Sequence, residues 1–186
     1  MGFNITPQEF RDWITFLFVI IGGSLALRTY IVNQRQRKLD NSLRLLERFW
    51  SAIDTEDLGS WEDIFRASSD CAGATEGNYV SASSEQSSLS SLFSEGPADQ
   101  GATDRIAQEL NIICQEILEN TVNPRIIYHE LGQLIDVIFG WLSVIDKQNH
   151  EMPNLLGDHF KAFDKVCKKY RKKFKKWYHK IIVYVE

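Results

Sequence analysis

The stretch from Trp13 to Val32, WITFLFVIIGGSLALRTYIV, decides how the rest of the chain is read. It is about the length that an α-helix needs to cross the hydrocarbon core of a bilayer, and Arg28 is its only charge. Arg28 stands near one end, where a long side chain can snorkel to the headgroups, so the run predicts a transmembrane helix over residues 13–32. A signal peptide carries its basic cluster before the apolar run. Here Arg35, Arg37 and Lys38 follow it, with no small-residue cleavage site before NQRQRK, so the segment is expected to stay on the protein. MGFNIT formally fits a myristoylation signal, which an adjacent span makes redundant.

Charge on the two flanks sets the expected orientation. Glu9, Arg11 and Asp12 precede the span and a basic cluster follows it, so the positive-inside rule places a short tail, residues 1–12, outside and the remainder in the cytoplasm. Trp13 and Tyr30 fall where an interfacial aromatic belt lies. Inside the span, Gly22, Gly23, Ser24 and Ala26 form a small-residue patch, and the Gly22–Ala26 spacing lets two helices approach closely. The patch is a candidate interface for a homo-oligomer.

Beyond the membrane, four stretches repeat apolar residues at alternating steps of three and four, the mark of helices with one buried stripe. The first stripe is Leu39, Leu43, Leu46, Trp50 and Ile53, within a long first cytoplasmic helix and short helix over 33–67, the latter from Trp61 to Ala67. The second is Ile106, Leu110, Ile113 and Ile117, with Thr103 and Asp104 as candidate caps. The third, Ile127, Leu131, Leu134, Ile138, Trp141 and Ile145, opens with Asn123 as N-cap and Pro124 at the first helical position. The fourth is Phe160, Phe163, Cys167, Tyr170, Phe174, Trp177 and Ile181, opened by Pro153 and Asn154. The fold class expected is therefore all-α: a single N-terminal transmembrane helix continuing into a cytoplasmic helical bundle of about four helices. The second and third helices, separated by about three residues, form its hairpin, and residues 103–186 complete the bundle.

Residues 68–102 are rich in Ser, Gly and acids and read as a flexible linker unable to form a core. Leu89, Leu92 and Phe93 are its apolar cluster, read as a docking motif or as a segment packed back on the domain.

Charge is strongly segregated. Asp158 to Lys180 carries ten Lys or Arg against two acidic residues, a local balance of +8 in a chain of net −4, which leaves −12 elsewhere. Because the aromatics of this helix occupy the apolar stripe, its cations form the opposite face, and Lys168, Lys169, Arg171, Lys172, Lys175 and Lys176 are the candidate polyanion-binding residues. Membrane lipid is the nearest polyanion, nucleic acid a less favoured one, since buried aromatics cannot stack on bases. A solvated face paired with the acidic remainder is the bland alternative.

No catalytic pattern emerges, and neither a cofactor nor a metal is expected. HELGQ at His129–Gln133 has Gln133 where a zinc protease has its second His. P-loop, dinucleotide and nucleophile-elbow motifs do not occur. Arg125–His129 and Arg171–His179 miss the spacing of helical HEPN-type ribonucleases. Cys71, Cys114 and Cys167 are odd in number and widely spaced, which suits a reducing compartment.

The span running into RTYIVNQRQRKLDNSLRLLERFW (28–50), followed by the hairpin ELNIICQEILENTVNPRIIYHELGQLIDVIFGWL (109–142), resembles a group of uncharacterised bacterial membrane-anchored helical proteins, the DUF4760-like proteins. The likeness lies in apolar pattern and departs in the Ser-rich insertion and basic last helix. It implies a bacterial inner-membrane location and no particular activity. The reading that follows is a non-enzymatic interaction or regulatory protein with an unknown protein partner. The alternatives are an oligomeric membrane effector or pore of a bacterial defence system and, least favoured, a divergent helical nuclease using His129 or His179.

Overall fold

The computed structural model describes residues 7–69, 78–80, 86–93, 99–148 and 154–182. Among these the chain is mostly helical, with one long apolar helix at its N-terminal end. Helix α1 runs Pro7–Ala52, its Pro occupying the first helical position, where the missing N–H has no helical partner to lose. Helix α2 spans Thr55–Ser69, α3 Ala102–Leu118, α4 Pro124–Gln148 and α5 Lys161–Ile182. By internal packing the chain divides into Met1–Asp40 and Asn41–Glu186.

In Met1–Asp40 the large apolar side chains stand exposed, Trp13 at 62%, Phe18 at 72% and Val19 at 67%. Two of its hydroxyls, Thr15 and Thr29, donate to carbonyls four residues back, Arg11 and Leu25, at 2.9 Å each. Their polarity is thereby satisfied on the helix itself.

Asn41–Glu186 holds the core. Helix α5 packs on α3 and α4, and α2 packs on α3. Every residue of the expected second and third stripes is buried, including Trp141. Along the fourth stripe, Phe160, Phe163 and Cys167 are buried as expected and Tyr170 is partly so; Val166 joins them, while the side chains of Phe174, Trp177 and Ile181 lie outside the described residues. Phe139 and Phe163 meet edge to face at 6.0 Å across α4 and α5.

The first stripe is corrected. Leu46 and Ile53 are buried, but their companions are Ser42 and Phe49, whereas Leu39, Leu43 and Trp50 are 42%, 53% and 47% exposed. Both sets have helical spacing, so periodicity cannot choose between them. Hydrogen bonds fix the rotation: Asn123 N–H donates to Ser42 Oγ at 2.8 Å and Asn41 Nδ2 donates to Thr121 O at 3.2 Å. These bonds turn Phe49 inward.

Element ends also differ from expectation. Helix α2 starts six residues early because Asp54 Oδ1 accepts from the N–H groups of Glu56 and Asp57, both at 2.9 Å, a side-chain cap. Helix α3 is capped by Asp99, not by Thr103 or Asp104: its carboxylate accepts from Gly101 N at 3.1 Å and Thr103 N at 2.8 Å. The turn needs positive φ at Gly101, +79°, which glycine takes without a Cβ clash. Helix α3 ends as Asn120 enters the left-handed region, φ +61°, and the N–H groups of Asn120 and Thr121 return to Ile117 and Glu116, a Schellman closure. Asn123 does cap α4, accepting from Arg125 N at 3.0 Å. Asn154 caps a single π-type turn, Leu155–His159, that precedes α5, and the Asp146 carboxylate of α4 accepts from Leu155 N and Leu156 N at 2.8 and 3.1 Å.

The largest correction concerns the stretch read as a flexible linker. Its described residues form two short antiparallel strands, β1 (Asn78–Val80) and β2 (Gln86–Ser88), with Tyr79 opposite Ser87, then a 3-10 turn, Leu89–Phe93. Tyr79, Leu89 and Leu92 are almost fully buried in the same core as α3 and α4. Composition averaged over 35 residues hid them: three large apolar side chains suffice to anchor a polar segment when the domain offers a matching apolar surface.

Candidate functional site

Three groups of residues carried the functional expectations, and the structure treats each differently. Gly22, Gly23, Ser24 and Ala26 lie exposed on α1, and a Cβ added at Gly22 or Gly23 meets no atom within 4 Å. Their backbone is bare.

On α5, Lys168, Lys169 and Lys172 are exposed, opposite the buried Phe163, Val166 and Cys167. Lys168 Nζ pairs with Asp164 Oδ2 at 2.8 Å one turn back, and the Nζ atoms of Lys169 and Lys173 lie 5.1 and 5.7 Å from the Tyr170 ring centre. The side chains of Arg171, Lys175 and Lys176 fall outside the described residues. Asp164 offsets one positive charge at Lys168, while the cation–π contacts leave Lys169 and Lys173 charged.

Leu89, Leu92 and Phe93 are not a free docking motif. Leu89 and Leu92 are at 0% exposure, and Phe93, half-buried, meets Phe160 edge to face at 6.4 Å. That contact forms one wall of a site that sequence reasoning missed.

Phe93 and Phe160 border a cavity of about 470 Å3. Helix α3 contributes Asp104, Gln108 and Asn111, with Ile112 beside them, and the π-type turn contributes Leu155 and His159. Gln108 Nε2 donates to Asp104 Oδ2 at 2.6 Å, and Asn111 Oδ1 accepts from Phe163 N at 3.0 Å, joining α3 to α5. Burial raises the Asp104 carboxyl above its ordinary range and the Asp99 carboxylate adds to this, against the opposing pull of Gln108, His159 and Arg105. Arg105 itself is turned away. Its guanidinium is paired with the buried Asp57 of α2, Nε to Oδ2 at 3.0 Å, and donates to Gln100 O at 2.8 Å. A sequence signal for this wall did exist: Asp104, Gln108 and Asn111 follow steps of four and three, a polar ridge beside the apolar stripe. Nothing local brings Phe93 or His159 to it.

The remaining candidates stay apart. His129 is exposed on α4 with Nδ1 2.9 Å from Glu130 Oε1, and the described residues contain no group of three His, Cys, Asp or Glu that could hold a metal. Cys114 and Cys167 are buried free thiols, and burial pushes the Cys114 thiol up, away from the reactive thiolate. No family model, curated protein or solved structure matches the chain. The resemblance drawn from the helical pattern therefore stands on that pattern alone.

Proposed function

We propose that the chain is a single-pass membrane protein of the bacterial cytoplasmic membrane, N-terminus outside, which presents a cytoplasmic helical bundle as a non-enzymatic recruiting or regulatory module. The observation that carries the reading is the first part of α1. Its most apolar 18-residue window has mean hydropathy 1.8, and none of that window is buried. Leaving even one large apolar side chain in water forfeits about 1.5 to 3 kcal/mol, so a run of them calls for lipid. The self-satisfied Thr15 and Thr29 hydroxyls suit the same solvent, since hydrocarbon offers no partner for a polar group.

Anionic lipid is the partner that the Lys face of α5 favours, because a leaflet surface adds on the order of 1 kcal/mol for each basic residue near it. Membranes from expressing cells provide the test. The protein should remain in the pellet after an alkaline carbonate wash, and protease added from the cytoplasmic side should reach the basic helix. Release of intact protein by carbonate overturns the reading.

The bare backbone at Gly22 and Gly23 favours a second reading, self-association of the span into an oligomeric effector or pore. A mass measurement in detergent separates the two: a monomer leaves the recruiting module, whereas a closed oligomer lost on Gly22→Ile supports the effector.

A further inference from the structure

We propose that the cavity between the Leu89–Phe93 turn, α3 and the start of α5 binds a small organic ammonium ion, held between the Asp104 carboxylate and the Phe93 and Phe160 rings. Its volume, about 470 Å3, lies within the range of sites that take small molecules. Its chemistry is more informative than its size.

Three negative or positive groups cluster at the start of α3, and two of them are already engaged. The Asp99 carboxylate is occupied by the N–H groups of Gly101 and Thr103, and the Arg105 guanidinium is committed to Asp57 and Gln100. Asp104 is left with one hydrogen bond, from Gln108, although an ionised carboxylate offers about four acceptor positions. Among the described residues it is a half-buried carboxylate that His159 and Arg105 act on only at a distance, Arg105 being paired with Asp57. Phe93 and Phe160, which meet edge to face, border the same cavity, and a phenyl face presented to a cation attracts it, most strongly away from water.

The same lining argues against other ligand classes. Among the described residues no Lys or Arg borders the cavity, so a phosphate or carboxylate would meet Asp104 with only His159 to offset it. A wholly apolar ligand would strip water from Asp104 and return nothing. One carboxylate and one imidazole fall short of the donor set that a transition metal takes. Asn111 spends its Oδ1 on Phe163 N, and among the described residues its Nδ2 is not engaged, so it can meet a ligand acceptor, which suits an ammonium that also carries a hydroxyl.

The test uses full-length protein in detergent micelles at fixed ionic strength, titrated by calorimetry with choline chloride and with its uncharged isostere, 3,3-dimethylbutan-1-ol. Choline should bind saturably and raise the unfolding temperature, with the isostere weaker by about tenfold or more. Asp104→Asn should lose about tenfold in choline affinity, and Phe93→Leu several-fold. Asp63→Asn, an exposed acid on α2, should change nothing, which separates the cavity from general charge attraction. Equal binding of choline and isostere overturns the proposal, as does unchanged affinity in Asp104→Asn or the absence of any choline binding. Should Asp104→Asn fail to fold, the wild-type preference for charge and the Phe93→Leu loss still decide it.

Discussion

Asp104 is the residue whose energetics are easiest to isolate. Burial raises its carboxyl in the folded protein, so between the ordinary carboxylate range and that raised value the native state holds more proton than the unfolded one. Stability contributed by the protonated form is complete below the unfolded value and is lost as pH rises through the folded one. Asp104→Asn removes this dependence, at the expense of a small favourable interaction between the carboxylate and the N-terminus of α3. The difference in melting temperature, variant minus wild type, should therefore move in the variant's favour between about pH 3 and neutrality. Calorimetric melts at the two pH values measure it; a constant difference would mean the carboxyl is not raised. The ligand-free variant thus has a reason to fold well, which makes it a clean control for binding.

Helices show where sequence periodicity suffices and where it does not. The stripes of α3 and α4 are legible because each helix has only one apolar face. In α1 two overlapping faces compete, and the choice depends on Ser42 and Asn41 meeting the 121–123 turn, a contact 80 residues away that no local pattern contains. Caps read correctly where side chain and helix start adjoin, as at Asn123, and wrongly where the acceptor stands further back, as at Asp99. The cavity was illegible for the same reason: its polar ridge is local to α3, but Phe93 and His159 arrive through tertiary packing.

Two glycines of α4 make the distinction between propensity and packing measurable. Replacing a helical Gly by Ala gains roughly 0.5 to 1 kcal/mol when there is room. Gly140 has room, with nothing within 4 Å of an added Cβ, so Gly140→Ala should stabilise. Gly132 has none: the added Cβ would meet Tyr128 Cε1 at 3.0 Å, and that ring is buried and held by its hydroxyl, which donates to Asp136. Overpacking costs about 1 to 3 kcal/mol, enough to outweigh the propensity gain, and Gly132→Ala should destabilise. Chemical unfolding of the pair checks both signs. If the two variants shift together, the Tyr128 contact is not constraining.

At the scale of the whole molecule, the described residues of the Ser-rich stretch change from tether to component. Leu92, at 0% exposure, should behave as a core residue: Leu92→Ala is expected to cost about 2 to 5 kcal/mol in unfolding of the full-length protein in detergent. A flexible linker would lose nothing, so a change within error would restore that reading. The long apolar helix and the compact unit differ in what makes each legible. Sustained hydropathy announces the first from 20 consecutive residues, while the second depends on pairings spread from Asn41 to Cys167, of which the sequence displays only the helical half.

Those distant pairings have a consequence for synthesis. The face of α1 carrying Ser42, Leu46, Phe49 and Ile53 emerges from the ribosome long before Thr121 and Asn123, the residues that hold it in register. At an elongation rate near 20 residues per second the wait is about four seconds, and near 5 it is about sixteen. During that interval the nascent chain exposes an apolar helical face with no native partner, immediately after the long apolar run of α1. The face of α1 thus stays open on the growing chain until Thr121 and Asn123 arrive to hold it in register.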